Sequence, residues 1–203
     1  MQHRRVTIAW AVAATLAAIG GCTGTTGDAV SLTGAGATFP YPVYSKWLHS
    51  FFKSTGHQVN YQSIGSGAGV RQFSLGTVDF GATDGPMTDA EVAAVDGKVL
   101  HIPTVLGAVV LTWNLPELGN APLRFDGPTI ADIFLGKITR WNDPQLVALN
   151  PDLTLPDRDL LVVRRSDGSG TSFIFTEYLA RVSPDWEATV GVGKAVNWPT
   201  GLG

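Results

Sequence analysis

Residues 41–82 read YPVYSKWLHSFFKSTGHQVNYQSIGSGAGVRQFSLGTVDFGA, and the period of their apolar residues changes from helical to extended and back. Tyr41–Thr55 carries Val43, Trp47, Leu48 and Phe51 at helical spacing, with Pro42 near its start and Gly56 just past its end, which predicts a helix. Gln58–Ile64 reads as a strand, Val70–Leu75 as a short helix and Val78–Ala82 as a second, buried strand. Further along, Thr88-Asp89-Ala90-Glu91 fits a capping box, which predicts a helix running to about Val95. Val99–Trp113 is apolar but broken by Pro103 and Gly107, and reads as two extended segments. Thr129–Leu135, closed by Gly136, and Pro144–Leu149 read as short helices, Leu160–Arg164 as a strand, and Thr171–Arg181 as a further helix. The alternation of strand and helix predicts an α/β protein. No internal repeat interrupts it.

The 203 residues are 44% hydrophobic and 15% charged. Gly and Pro together make up 36 of them, below the roughly 25–30% that marks a low-complexity chain, so a disordered protein is excluded. Fourteen basic residues face 17 acidic ones. Without the first 21 residues, which hold Arg4 and Arg5 and no acid, the balance is 12 to 17, a net charge of -5. A chain this acidic offers no broad positive surface to a nucleic acid.

The N-terminus has the layout of an export signal. His3, Arg4 and Arg5 precede an apolar run, Val6–Ile19, that is shorter than the roughly 20 residues a bilayer span needs, and small residues follow at Gly20 and Gly21. Cys22 is the sole cysteine, so no internal disulfide is possible. Ile19-Gly20-Gly21-Cys22 resembles a bacterial lipobox, in which the cysteine is lipidated and becomes the new N-terminus. The competing reading is an ordinary secreted protein with a stray thiol. Residues 1–21 are thus expected to be a lipoprotein signal peptide and residues 22–30 a flexible tether.

Gly34-Ala35-Gly36-Ala37-Thr38-Phe39, Gly65-Ser66-Gly67-Ala68-Gly69 and Asp167-Gly168-Ser169-Gly170-Thr171 each join an extended segment to the start of a predicted helix. Helix N-termini leave backbone N–H groups unpaired and carry partial positive charge, so a glycine-bearing loop there suits an oxyanion. A Ser or Thr at such a place is also an ordinary N-cap. Three such loops, with Arg164-Arg165 just before the third, favour an anion held by several helix ends.

Other phosphate chemistries lack their motifs. Gly97-Lys98 is followed by Val99 and Gly136-Lys137 by Ile138, so there is no nucleotide-binding P-loop. Phe39 stands where a dinucleotide fingerprint needs its third glycine. Two residues before the serine, where a G-x-S-x-G hydrolase nucleophile needs glycine, Ser66 has Ile64 and Ser169 has Asp167. His3, His49, His57 and His101 show no metal-ligand spacing and offer no evident catalytic base. An enzyme, a metal and a cofactor are therefore not expected.

Longer ordered matches carry a resemblance. Ser31-Leu32-Thr33-Gly34-Ala35-Gly36-Ala37-Thr38-Phe39-Pro40, Val78-Asp79-Phe80-Gly81-Ala82-Thr83-Asp84 and Val163-Arg164-Arg165-Ser166-Asp167-Gly168-Ser169-Gly170-Thr171-Ser172-Phe173 resemble the bacterial phosphate-binding proteins of ABC-type importers. The similarity runs from about Ser31 to Gly203 and takes in Phe134–Ile138 and Trp198–Gly203. It implies a periplasmic-binding-protein fold, in which two α/β lobes joined by crossing strands hold one phosphate in the cleft between them. The first lobe is expected over residues 31–102 and an incomplete second lobe over 103–203, because family members continue further and return to close the first lobe. Either a fragment or a truncated gene accounts for this. The short form is expected to bind phosphate more weakly than an extended one.

Carried over position by position, the resemblance implies hydroxyls from Thr38 and Ser66 and backbone N–H groups from Phe39 and Ser66. Arg165, Ser169, Gly170 and Thr171 would face them, with Asp167 orienting Arg165. Asp84 would accept the proton of hydrogen phosphate, which sulfate lacks; the plainer reading is a cap on the turn before Gly85-Pro86. Sites that rely on a ligand hydroxyl can discriminate by about 10⁴ to 10⁵. The implied partners are inorganic phosphate, the permease subunits of an importer, and a membrane through a lipid on Cys22, with the protein exported to the periplasm or outer cell surface. A sulfate or molybdate receptor, a phosphate-ester hydrolase and a surface adhesion protein are the alternatives. The lipobox makes a direct prediction: Cys22→Ser should release the protein from membranes or leave its signal uncleaved, and mass spectrometry finding an unmodified Cys22 on the mature protein would reject it.

Overall fold

The computed structural model describes residues 29–203; the signal segment 1–21, Cys22 and most of the 22–30 tether lie outside them. Ser31–Gly203 forms one compact unit. Its first half is built on a parallel sheet of β1 (Ser31–Gly36), β2 (Gln58–Ser63) and β3 (Phe80–Ala82) in the order β2-β1-β3. Helix α1 (Tyr41–Thr55) connects β1 to β2, and α2 (Ser66–Ser74) connects β2 to β3. Since the chain moves one way from β1 and then back across it, right-handed crossovers put α1 and α2 on opposite faces.

Side chains show how each face is filled. Gly34 of β1 stands opposite Tyr61 of β2 and Phe80 of β3. With no side chain at Gly34, the two rings meet across it at 6.2 Å, and α1 adds Tyr41 and Tyr44 against Tyr61. Residues one step along point the other way. There α2 lies almost directly on the strand, since a Cβ on Gly69 would sit 2.3 Å from the Gly36 Cα, and Phe73 rests against Gly81.

This packing explains two departures from the sequence reading. Helix α2 starts at Ser66 rather than Val70, because its glycines, poor helix formers in isolation, are what allow the close approach. The expected buried strand over 78–82 is shorter and is not buried. The Asp79 carboxylate takes the Thr33 N–H at 2.7 Å and the Asp79 N–H donates to the Thr33 carbonyl at 2.8 Å, and the regular ladder begins at Phe80. Helix α3 (Asp89–Ala93) follows with its capping box intact, though it stops two residues before Val95.

Residues 98–115 contain neither helix nor strand, so the two expected extended segments join no ladder. The second half then has α4 (Gly127–Phe134), α5 (Pro144–Leu149), α6 (Gly170–Val182) and α7 (Pro184–Thr189). The core lies here, around Leu115, Ile133, Ile138, Trp141, Leu146 and Val162, with a second cluster of Ile130, Ala131, Leu179 and Trp186. The expected strand over 160–164 is also missing. Val162 is buried between exposed Leu161 and Val163, as in a strand, yet the pairing is a single bridge from Val163 to Leu202. This segment and residues 110–114 both line a cavity of about 600 Å³, and no ladder joins them.

Because α2 rests on β1 through bare backbone, a single methyl should be felt. Gly69→Ala should destabilise the protein by about 1–3 kcal/mol, the usual cost of overpacking, read as a lower urea midpoint; an unchanged midpoint would mean that α2 is free to move off the sheet.

Candidate functional site

The order β2-β1-β3 reverses direction at β1, and ligands of open α/β sheets bind beyond the carboxyl ends of the strands at such a point. The loop after β1 carries Thr38 and Phe39, and the turn after β3 carries Asp84. Ser66 opens α2.

Helix capping separates the helices that open on this point from the others. Thr88, Asp126, Asp143 and Ser183 cap α3, α4, α5 and α7 with their side chains. By contrast α1 begins after Pro40 and α2 after Gly65 with no side-chain cap; the Tyr41 and Val43 N–H groups of α1 bond the Thr38 and Pro40 carbonyls, while α2 meets the third loop through its backbone. Ser169 does cap α6, accepting the Ser172 N–H at 3.2 Å, which leaves its own hydroxyl proton to donate.

The third loop comes to the same place. Gly67 N–H donates to the Gly168 carbonyl at 2.8 Å, and a Cβ on Gly170 would fall 2.4 Å from Ser66 Oγ and 2.6 Å from Asp84 Cβ. Only glycine leaves the α6 N-terminus this close. Thr171 Oγ1 donates to Asp84 Oδ2 at 3.2 Å, and Asp84 N–H donates to Ser66 Oγ at 3.3 Å. Arg165 donates from Nη1 to Thr38 Oγ1 at 3.0 Å, while its Nε reaches Asp167 Oδ1 at 2.7 Å and its Nη2 pairs with Asp167 Oδ2. This paired fork fixes the plane of the guanidinium.

Thr38, Ser66, Asp84, Arg165, Asp167, Ser169, Gly170 and Thr171 therefore lie together. Ser66 and Ser169 are almost fully buried, at 1% and 0% exposure. Phe39 stands at the edge, 43% exposed, with its ring over Gly107. Arg164 turns elsewhere, bonding the Arg165 carbonyl at 3.4 Å beside Gly203. Tyr61 was not singled out from sequence: its hydroxyl donates to the Ala37 carbonyl at 2.7 Å and so steadies the loop that carries Thr38. Burial, with Tyr44 and Asp84 nearby, raises that hydroxyl well above its ordinary range, so it stays a donor. Its place opposite Gly34 was the available signal.

Asp84 is the electrostatic exception among these groups. Burial pushes its carboxyl up, against the lowering effects of the Thr171 hydroxyl, Arg165, the Thr171 N–H and Ser66. Its Oδ1 is buried and has no hydrogen-bond partner. Asp167, by contrast, is held below its ordinary value by Arg165. Among the described residues no cluster of His, Cys, Asp and Glu is placed to hold a metal.

A family model for the PBP superfamily domain matches residues 23–200. The chain belongs to the PBP superfamily. Within it, the chain is 53% identical over 176 residues to the phosphate-binding protein PstS of Haemophilus influenzae, covering 87% of this chain and 52% of the relative. It is 52% identical over 178 residues to PstS of Pasteurella multocida, covering 88% and 51%, and 41% identical over 171 residues to PstS of Methanocaldococcus jannaschii, covering 81% and 44%. The chain thus spans about half the length of these relatives. A crystal structure from Clostridium perfringens, of a protein assigned as a phosphate ABC transporter substrate-binding protein with bound phosphate, matches with a TM-score of 0.53 at 24% identity, over 73% of this chain and 56% of that one. The α/β, periplasmic-binding-protein-like architecture and the resemblance read from residues 31–40, 78–84 and 163–173 are both borne out.

The raised Asp84 carboxyl has a consequence for the unliganded PBP domain. A carboxyl raised on folding contributes stability that is complete below its unfolded value and is lost as pH rises through its folded value. Ionised Asp84 is then a burden above that folded value. Asp84→Asn keeps the acceptor for Thr171 and should raise the ligand-free Tm there, with the gain shrinking as pH falls through the raised value; a lower Tm on the alkaline side would overturn this account.

Proposed function

We propose that the protein binds inorganic phosphate, as hydrogen phosphate, and delivers it to an ABC-type importer. The observation that carries this reading is the buried, unpartnered Asp84 Oδ1 among a ring of donors. Arg165, the hydroxyls of Thr38, Ser66 and Ser169, and the helix N-termini bearing Ser66 and Gly170 supply positive charge and hydrogen-bond donors for the ligand oxygens, while the Thr171 hydroxyl donates to Asp84 and so holds it in place. Phe39 N–H completes the set. Asp84 supplies the one acceptor. Hydrogen phosphate carries a proton to meet it, and sulfate brings only another like charge, so a sulfate or molybdate receptor fits less well. The relatives named as phosphate-binding proteins support the same ligand.

These groups bind and orient, and among the described residues no imidazole is a hydrogen-bond partner of the site, which supports a receptor over a hydrolase. Asp167 acts on the ligand indirectly, by holding Arg165 in plane. In the proposed setting the mature protein is exported and held at the membrane by lipid on Cys22, near its permease, where a tether raises local concentration. Stable attachment takes more than one acyl chain, which lipoprotein processing provides.

Calorimetry on the complete protein should give micromolar or tighter phosphate binding, about -8 kcal/mol or better, and far weaker sulfate binding; comparable affinities would sink the proton-reading role of Asp84. Asp84→Asn should narrow the gap, since an amide can donate to sulfate. Arg165→Ala should cost more affinity than Arg164→Ala, because Arg165 alone of the pair bonds Thr38; the reverse ranking would remove Arg165 from the site.

A further inference from the structure

A part of the molecule beside the site is unused by the phosphate reading. Lys194 Nζ donates to both oxygens of Glu91, at 2.7 and 2.9 Å, across 103 residues of sequence. The Lys194 side chain is only 11% exposed, and its ammonium stands 5.6 Å from the centre of the Phe173 ring. That ring, one turn into α6, lies against Gly85, the residue after Asp84; a Cβ there would be 2.7 Å from Phe173 Cδ1. The Lys194 carbonyl accepts the Ser169 N–H at 2.9 Å, just where the α6 N-terminus meets the ligand position.

We propose that Glu91 and Lys194 form an ionic clasp between the halves of the site, and that Lys194 is a positioning residue whose carbonyl aims Ser169 and the α6 N-terminus at the ligand. This rests on the phosphate reading for what the ligand is. The charges sit where a pair is effective. Burial would raise the Glu91 carboxyl, but Lys194 and the Thr88 N–H more than offset it and hold it below its ordinary value. A pair this sheltered is screened less by salt than one on the open surface. Its ends are also anchored. Glu91 is bound to Thr88 by the capping box, so its carboxylate is a fixed point on the half that carries Asp84. Lys194 is fixed by Phe173 through attraction to the ring face. Gly193 is held separately, its N–H donating to Thr176 Oγ1 at 3.1 Å, so breaking the pair loosens the segment at Lys194 itself, the residue whose carbonyl holds Ser169.

The substitutions can be chosen to touch the clasp alone. Glu91→Gln keeps a side chain able to close the capping box, and Lys194→Met keeps an apolar stem over Phe173 while removing the charge. In the full chain without ligand, each should speed amide hydrogen exchange at Ser169 at least tenfold while the α4 amides hold their protection. In stopped-flow measurements with inorganic phosphate, each should speed release by a similar factor with little change in association, and the double variant should be no worse than the more affected single one. Unchanged exchange at Ser169, additive effects in the double variant, or a uniform loss of protection that includes α4 would each overturn the clasp. A parent protein that binds no phosphate would defeat the phosphate reading, and Ser169 exchange would still decide the clasp.

Discussion

The candidate site depends on a backbone-to-backbone contact between two glycine-bearing loops. Gly67 of the first half bonds Gly168 of the second, and neither brings a side chain that would hold the loops apart. The contact brings the N-termini of α2 and α6 together, along with Ser66, Gly170 and Thr171. Helix-terminal N–H groups act only within the first turn, so a separation of a few ångströms would leave two weak anion sites where there is now one combined site. The glycines at 67, 168 and 170 are therefore requirements of distance.

Around that contact, the polar groups are arranged to leave specific valences open. Asp167 uses both oxygens on Arg165, while Asp84 uses one oxygen on Thr171 and keeps the other buried and free. Two aspartates in the same small volume thus differ: one has both oxygens satisfied by the protein, and one keeps a buried oxygen without a partner, which costs stability.

Much of this was legible beforehand. Tyr41–Thr55 and Pro144–Leu149 have the boundaries their periodicity and terminal residues implied, and the Thr88–Glu91 capping box formed as spelled. The readings that failed are those in which a strand needed a partner. Residues 160–164 have the right residue types, yet a ladder exists only where a second strand lies alongside, and across the neighbouring cavity none does. Ser66 was seen as a donor, but α2 was placed too late because its glycines look helix-breaking until the sheet beneath them is known. Tyr61 and the Glu91–Lys194 pair escaped notice because their partners lie far along the chain: Ala37 for Tyr61, and for Glu91, legible only as a capping residue, Lys194.

By itself the sequence determined most of the helices, the three glycine-bearing loops and the supply of donors around a single candidate acceptor, since period and loop composition act within a few residues. Tertiary structure decided the order β2-β1-β3, which puts Thr38 and Asp84 on either side of one crevice. It also decided that Arg165 faces Thr38 while Arg164 turns toward Gly203, and that Glu91 finds Lys194 103 residues away. These are choices among partners far apart in the chain, and they are settled by which surfaces can approach closely enough to pack.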